Sequence, residues 1–373
     1  MIYLDNAATT YKKPLAVKLA TLKGITSANP GRSGHKLSIK AANEITKTRL
    51  KLQALFNAPD TNNIILTHNC TEALNMAILG SAKKGHVIAS TFEHNSVLRP
   101  LKKLQDDGII SLTIITPKSN NIITAGDIIP ALQNDTYLVC VSYVTNTLGN
   151  KNDINGIGKL CKEKNLLLLC DCAQAAGHID IDMQKDNISM LAFAGHKGLF
   201  APQSIGGLCL NNVSLSPLKY GGTGTNSTDL NMPLSYPERL ESGTLHTPLI
   251  FGLSAGIDYV INHFEKSSKK VKRLTQHLLQ ELYKLGATVY TNKDSFLGVV
   301  LFNLLGFDST ELSDILSEKY GIMLRGGLHC APLAHKYLGT LKQGALRASI
   351  NHYNSTKQIN KLIAALQDIL TQE

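Results

Sequence analysis

Short apolar runs alternate, through the first half of the chain, with longer stretches in which apolar residues recur every three or four positions. The runs at 64–66, 87–89, 112–115, 138–141, 166–169 and 190–193 read as strands, being short, continuous and bounded by polar or glycine-containing segments. The segments between them are long enough for helical crossovers, and one begins as a helix-like run over 73–79. Such alternation predicts a mainly parallel sheet of the α/β class. Beyond about residue 250 the pattern changes to a long helical segment, a strand at 296–302, a helix at 310–320 and a last helix at 356–370. The expected organisation is a large α/β domain over 12–250, with a smaller α+β domain built from 1–11 and 251–373. No internal repeat, low-complexity tract or linker interrupts it.

With 373 residues, 43% of them hydrophobic, the chain is long enough to bury a sizeable core. The net charge of +10 raises the question of nucleic acid, because clustered Lys and Arg release counterions from phosphates. The densest basic run, 266–273, carries Val271 and is followed by Leu274, Leu278 and Leu279 at helical spacing. It therefore reads as a solvated helix face, and no nucleic-acid partner is expected. The charge leaves a milder role in attracting anionic substrates or an acidic partner protein. No stretch of about 18 apolar residues occurs, and Met1 to Asp5 lack the features of a secretory signal. A cytoplasmic protein without a membrane anchor is expected. The seven cysteines are odd in number and irregular in spacing, which suits reduced thiols, six of them structural.

In open α/β sheets ligands sit beyond the carboxyl ends of the strands, so the residues there decide the chemistry. The first strand leads into Thr67-His68-Asn69-Cys70-Thr71-Glu72, where a helix start and the Thr71 hydroxyl suit a phosphate; a simple Thr71 N-cap is the plainer reading. Asp171, followed by Gln174, ends another strand. It could cap a helix, or pair with the ring nitrogen of pyridoxal 5'-phosphate (PLP) and make that ring a better electron sink. Gly195-His196-Lys197-Gly198 puts a lysine on a tight turn at the same edge, where burial would make its amine nucleophilic. His94 offers an imidazole able to stack on a pyridine ring and carry a proton, and Asn146 a hydrogen bond to the ring hydroxyl or the substrate. Far downstream, Cys330 lies in Arg325-Gly326-Gly327-Leu328-His329-Cys330-Ala331-Pro332, a glycine-preceded loop in which a reactive thiol is more plausible than a buried small hydrophobe.

In this order the motifs resemble those of the cysteine desulfurases and selenocysteine lyases, PLP enzymes of fold type I within the class V aminotransferases. The resemblance runs end to end through Tyr3 to Thr10, Asn29 to His35, Glu93-His94-Asn95, Asp171 to Gln174, Gly195-His196-Lys197, Glu241 to Thr244, Arg325 to Pro332 and Leu346 to Ser349. Its cysteine segment looks like that of the second group of these enzymes. The resemblance implies that Lys197 holds the cofactor, Asp171 pairs with its ring nitrogen, His94 stacks on the ring, and Gln174 and Asn146 approach its oxygen or the substrate. It places Cys70, Thr71 and His196 at the phosphate, with Thr244 reaching the phosphate of a neighbouring subunit in a homodimer. It further implies that Arg347 clamps the substrate carboxylate, that Ala8, Arg32 and His35 line the substrate site, and that Cys330 accepts the sulfur of L-cysteine. A sulfur-acceptor protein follows, and L-selenocysteine is the alternative substrate. Two departures stand out: Ala194 replaces a hydroxyl residue that helps hold the phosphate in many relatives, and the segment after Cys330 differs from the better-studied pattern.

Rival readings fare worse. A transaminase or epimerase leaves Cys330 unexplained, and a noncatalytic interaction protein would not need both Lys197 and Asp171. A zinc site from Cys330, His329 and His335 lacks a ligand spacing. Gly156-Ile157-Gly158 is too short for a dinucleotide fingerprint, and Gly221 to Gly224 read as a loop. No metal is expected.

Overall fold

The computed structural model describes residues 1–371 apart from Arg32, Ser33, Asn226 and Phe296. In chain order it begins with β1 (Ile2–Tyr3), α1 (Leu15–Ile25) and α2 (Lys36–Phe56). Seven strands follow, the first four each leading into a helix: β2 (Ile64–Thr67), α3 (Cys70–Gly80), β3 (Gly85–Ser90), α4 (Asn95–Asp106), β4 (Ile110–Ile115), the short α5 (Ala125–Ile128), β5 (Thr136–Ser142), α6 (Ile154–Glu163), β6 (Leu167–Asp171), β7 (Met190–Ala194) and β8 (Gly206–Leu210). The remainder is α7 (Thr247–Lys284), β9 (Thr288–Val289), β10 (Val299–Asn303), α8 (Ser309–Tyr320), β11 (Ile322–Met323), α9 (Pro332–Tyr337), β12 (Leu346–Ser349) and α10 (Thr356–Thr371).

Seven strands form the central sheet in the order β2-β8-β7-β6-β5-β3-β4. The five from β7 to β4 pair in parallel, while β8 runs antiparallel to both neighbours. Strands β2, β3, β5, β7 and β8 are buried along their whole length, as a sheet covered by helices on both faces requires. That is why the runs at 64–66, 87–89, 138–141 and 190–193 are apolar without alternation, whereas the edge strand β4, partly exposed, carries Thr113 within its run. All six predicted strands of this sheet are present, and β8 is added to them. The predicted helix over 73–79 starts earlier, at Cys70, because Asn69 caps it: its side chain accepts from the Glu72 N–H. Thr71 is therefore inside the first turn and is not the cap.

A three-stranded antiparallel sheet, β12-β10-β9, and the parallel pair β1-β11 make up the rest. The strand expected at 296–302 is β10, beginning at Val299; Phe296 lies outside the described residues. Helix α7 spans both parts. Its first half adds Ile250, Leu253, Ile257 and Val260 to the core beneath the large sheet, and its second half adds Leu274, Leu278, Leu279 and Leu282 to a second core. That second core also takes Ile2 and Leu4, which ties the N-terminus to the C-terminal elements. Within α7, Val271 and Leu274 are buried while Lys269, Lys272 and Arg273 point to solvent, the solvated face the spacing predicts.

Candidate active site

The carboxyl ends of β5, β6 and β7 open onto a cavity of about 240 Å³. Asp171 is the last residue of β6, and Lys197 sits three residues beyond the end of β7; both line the cavity. The Asp171 carboxylate is fixed on one side. Its Oδ1 accepts from the Ala173 N–H at 2.9 Å and from the Cys70 thiol at 3.6 Å, and its Oδ2 makes no bond among the described residues. Burial and the Asp171 carboxylate both raise the Cys70 pKa, so this thiol stays protonated and donates. Burial lowers the Lys197 pKa, with Asp171 opposing the shift. Its amine has no hydrogen bond or ion pair among the described residues, so it is primed as a base or nucleophile.

The turn carrying Lys197 is clamped by the loop between β1 and α1. The His196 carbonyl accepts from the Thr10 N–H and hydroxyl, at 3.3 and 3.0 Å, and from Lys13 Nζ at 2.8 Å. His196 Nδ1 is buried without a partner, and burial, with Lys197 and Lys13 nearby, lowers its pKa to about 4. Next to it the Cys70 and Thr71 N–H groups begin α3 and take no partner among the described residues, as the first turn of a helix leaves them. Ala194 lines the same corner and brings no hydroxyl to it.

His94 lines the cavity while capping α4. Its Nδ1 accepts from the Ser96 N–H at 3.1 Å, so the neutral ring carries its proton on Nε2. Burial lowers its pKa. Gln174 also lines the cavity, but its amide donates to the Ala7 carbonyl at 2.9 Å. Asn146 donates to the His329 carbonyl at 2.7 Å, leaving its buried Oδ1 without a partner. Arg347 is 1% exposed. Its Nη2 meets Asp5 Oδ1 and its Nη1 the Asn146 carbonyl, each at 3.0 Å, and its Nε is an orphan. Burial lowers its pKa against the opposing pull of Asp5.

Cys330 is half-buried and does not line the cavity, although its neighbour His329 does. What joins its thiol to the cavity is Arg325, a lining residue whose Nη2 is 3.9 Å from Cys330 Sγ. Nothing local in the sequence gives Arg325 a role; the signal it carries is its place in the same loop motif as Cys330. Of the other predicted residues, Ala8 lines the cavity. His35 is exposed and caps α2, accepting from the Ser38 N–H; Arg32 lies outside the described residues. Thr244 is exposed, away from this cavity, on a segment anchored by Glu241, which accepts from the Leu66 N–H at 2.6 Å. The other six cysteines are buried. His329 and His335 bond to each other, and no metal-binding group of three occurs among the described residues. No helix among them is long and apolar enough to cross a membrane.

The chain matches the aminotransferase class-V family over residues 2–362. It is 32% identical over 387 residues to the Methanothermobacter thermautotrophicus protein named "Probable cysteine desulfurase", covering 99% of this chain and 94% of that protein. It is 34% identical over 303 residues to the cysteine desulfurase IscS of Rickettsia massiliae, covering 79% and 70%. Among solved structures, the cysteine desulfurase of Thermococcus onnurineus NA1 superposes with a TM-score of 0.92 at 28% identity, covering 100% of this chain and 95% of that one.

Proposed function

The chain belongs to the class-V aminotransferase family, and from that premise we propose that it is a PLP-dependent cysteine desulfurase, converting L-cysteine to L-alanine and taking the sulfur on Cys330 as a persulfide. The observation that carries this is the Arg325 guanidinium, which lines the cavity shared by Lys197 and Asp171 and stands 3.9 Å from the Cys330 sulfur. A thiol beside a buried lysine site has no use in a simple aminotransferase.

The residues present fit the cofactor. The free N–H groups of Cys70 and Thr71 and the orphaned His196 Nδ1 suit its phosphate, and the unpaired Asp171 Oδ2 suits the protonated ring nitrogen. When bound, the cofactor supplies an electron-withdrawing ring that stores the electron pair left by a broken Cα–H bond. Lys197, its pKa lowered by burial, anchors it and then serves as the base for the Cα proton. The orphaned Nε of Arg347 and the remaining Nη hydrogens orient the substrate carboxylate. Cys330 forms the S–S bond as the substrate Cβ–S bond breaks; the electron pair stays on carbon, which takes a proton and becomes the alanine methyl. Neutral His94, with its proton on Nε2, is a donor within the same cavity.

The same reading makes the enzyme a cytoplasmic homodimer that passes sulfur to an acceptor protein. Thr244, exposed on its anchored segment, supports a contribution to the partner's phosphate site, and a monomer of full activity in sedimentation would rule that out. The division near residue 250 is supported by the separate apolar core that Ile2 and Leu4 share with the C-terminal elements.

The test uses Cys330→Ala. It should bind the cofactor and L-cysteine normally yet release almost no alanine, because the C–S bond lacks a sulfur acceptor; L-selenocysteine, already a selenolate at neutral pH, should keep most of its rate. The parent enzyme given L-cysteine without reductant should carry one extra sulfur on the Cys330 peptide, removable by a thiol. Unchanged cysteine turnover in Cys330→Ala, or sulfur found only on another cysteine, overturns the assignment.

A further inference from the structure

Beneath the Cys330 turn runs a line of buried polar groups that the proposed reaction does not use. His329 Nε2 is 3.1 Å from the Arg325 carbonyl, His329 Nδ1 is 3.2 Å from His335 Nε2, and His335 Nδ1 is 2.8 Å from the Thr340 hydroxyl. A carbonyl can only accept, so His329 carries its proton on Nε2. Its Nδ1 must then accept, which places the His335 proton on Nε2 and leaves His335 Nδ1 to accept from Thr340. Every link fixes the next. Both imidazoles are neutral, since burial lowers His329 to about 2 and His335 to about 4.

The turn above this line is strained. His329 and Cys330 have φ of 51° and 57°, a left-handed conformation that residues with a Cβ adopt only when their surroundings impose it. Two hydrogen bonds hold its backbone: Asn146 Nδ2 to the His329 carbonyl and the Asn95 N–H to the Cys330 carbonyl, both at 2.7 Å. The imidazole line supplies a third anchor, from helix α9 and the Thr340 turn beyond it. It ends on the Arg325 carbonyl, which also accepts from the Arg347 N–H at 2.8 Å. One chain of contacts thus reaches the turn, the residue beside the thiol and the arginine of the cavity.

We propose that His335 and Thr340 are positioning residues for the Cys330 nucleophile, acting through the His329 imidazole to hold the left-handed turn that keeps the thiol beside Arg325. The proposal rests on the reading of Cys330 as sulfur acceptor. It also gives a physical role to the segment after Cys330, whose sequence departs from the better-studied pattern.

Two variants cut the line and two preserve it. Thr340→Val removes the hydroxyl and His335→Leu the ring; Thr340→Ser keeps the hydroxyl, and His335→Gln keeps an N–H donor near the place of Nε2. The cutting variants should lower kcat for L-cysteine roughly ten- to a hundredfold, the scale of loss when a reacting group is misplaced by about an ångström. Their KM for L-cysteine and their rate with L-selenocysteine should not move. The preserving variants should stay close to the parent. In cofactor-free protein labelled with ¹⁵N-histidine, His335 should show a fixed Nε2–H tautomer that becomes a mixture in Thr340→Val. The proposal is overturned if Thr340→Val and His335→Leu keep their cysteine kcat, or lose both substrates alike, as a purely structural role would have it. Should His335→Leu fail to fold, the near-isosteric Thr340→Val decides. Cys330→Ala is measured alongside: retained cysteine turnover there removes both readings, whereas its loss beside unaffected Thr340→Val removes this one alone.

Discussion

Arg347 heads the largest fully buried side chains of the chain, and a buried guanidinium is tolerable only when its N–H groups are met. Asp5 and the Asn146 carbonyl meet two of them, and the buried Nε has no partner among the described residues, which supports the proposed role of Arg347 in holding the substrate carboxylate. Arg347→Lys should therefore keep the cofactor's absorbance but weaken L-cysteine binding by about 1.5–3 kcal/mol, the worth of a hydrogen bond to a charged group, since an ammonium cannot reproduce the two-pronged contact. Titrating the variant in a Cys330→Ala background, with cofactor absorbance as readout, gives the affinity directly; parent-like binding would remove Arg347 from the substrate site. The side chains legible in the sequence were those whose chemistry follows a local signal: Asp171 and Lys197 close apolar runs, and Cys330 follows glycines. Partners were not legible. Asp5 lies 342 positions from Arg347, and no spacing rule connects them. Arg325 escaped assignment for the same reason, because its importance is a distance to a sulfur created by the folded turn.

Among the strands of the central sheet, β8 is the one the apolar pattern did not announce, because it opens with Gly206 and Gly207, and glycine weakens strand signals. Those glycines are what the site requires. A Cβ on Gly206 would stand 2.7 Å from the Phe193 carbonyl oxygen, 2.8 Å from the Asn69 carbonyl carbon and 2.9 Å from the Cys70 nitrogen. All three are backbone atoms, so no side chain can swing aside. The antiparallel strand has to lie this close for the start of α3 to face the Lys197 turn. Gly206→Ala should destabilise the protein by about 1–3 kcal/mol, as overpacking does, and should loosen cofactor binding in the molecules that remain folded. Denaturant unfolding and cofactor titration measure the two effects separately; a variant as stable as the parent and binding as tightly would show that α3 is free to shift. The two-residue strands β1, β9 and β11 were equally invisible, being too short for any periodicity. Helix starts were misread in a different way: Asn69, not Thr71, caps α3, since several capping residues stand in a row there and only the fold selects one.

For the whole molecule, neither the net charge nor the twelve histidines reveal how the protein responds to acid; that depends on which imidazoles the fold buries. Burial lowers His178, His196, His335 and His352 to about 4 and His329 to about 2. These five sit in three places: the Lys197 turn, the line beneath Cys330, and the packing of α7 against the segment after β12. In the unfolded chain the same groups protonate near pH 6.5. Between about pH 6.5 and 4 the unfolded state therefore binds more protons than the folded one, so stability rises with pH through this window and is lost as pH falls. Glu93 opposes this: burial raises it to about 7, despite hydrogen bonds from Ser142 and Ser90, so it favours the folded state as pH falls from 7 toward its unfolded value. Glu241, raised by burial against the Arg49 charge, acts in the same direction. Burial also lowers His86, His94 and His246, so the lowered imidazoles outweigh the two raised carboxyls and unfolding takes up protons through this window. Guanidinium unfolding of the cofactor-free protein from pH 7 to 4.5 should show stability falling with growing steepness below 6.5. His352→Gln should make that fall shallower by about one proton. A stability that stays level down to pH 5 would mean that these imidazoles are hydrated in solution, and the neutral His329–His335 pair would fall with it.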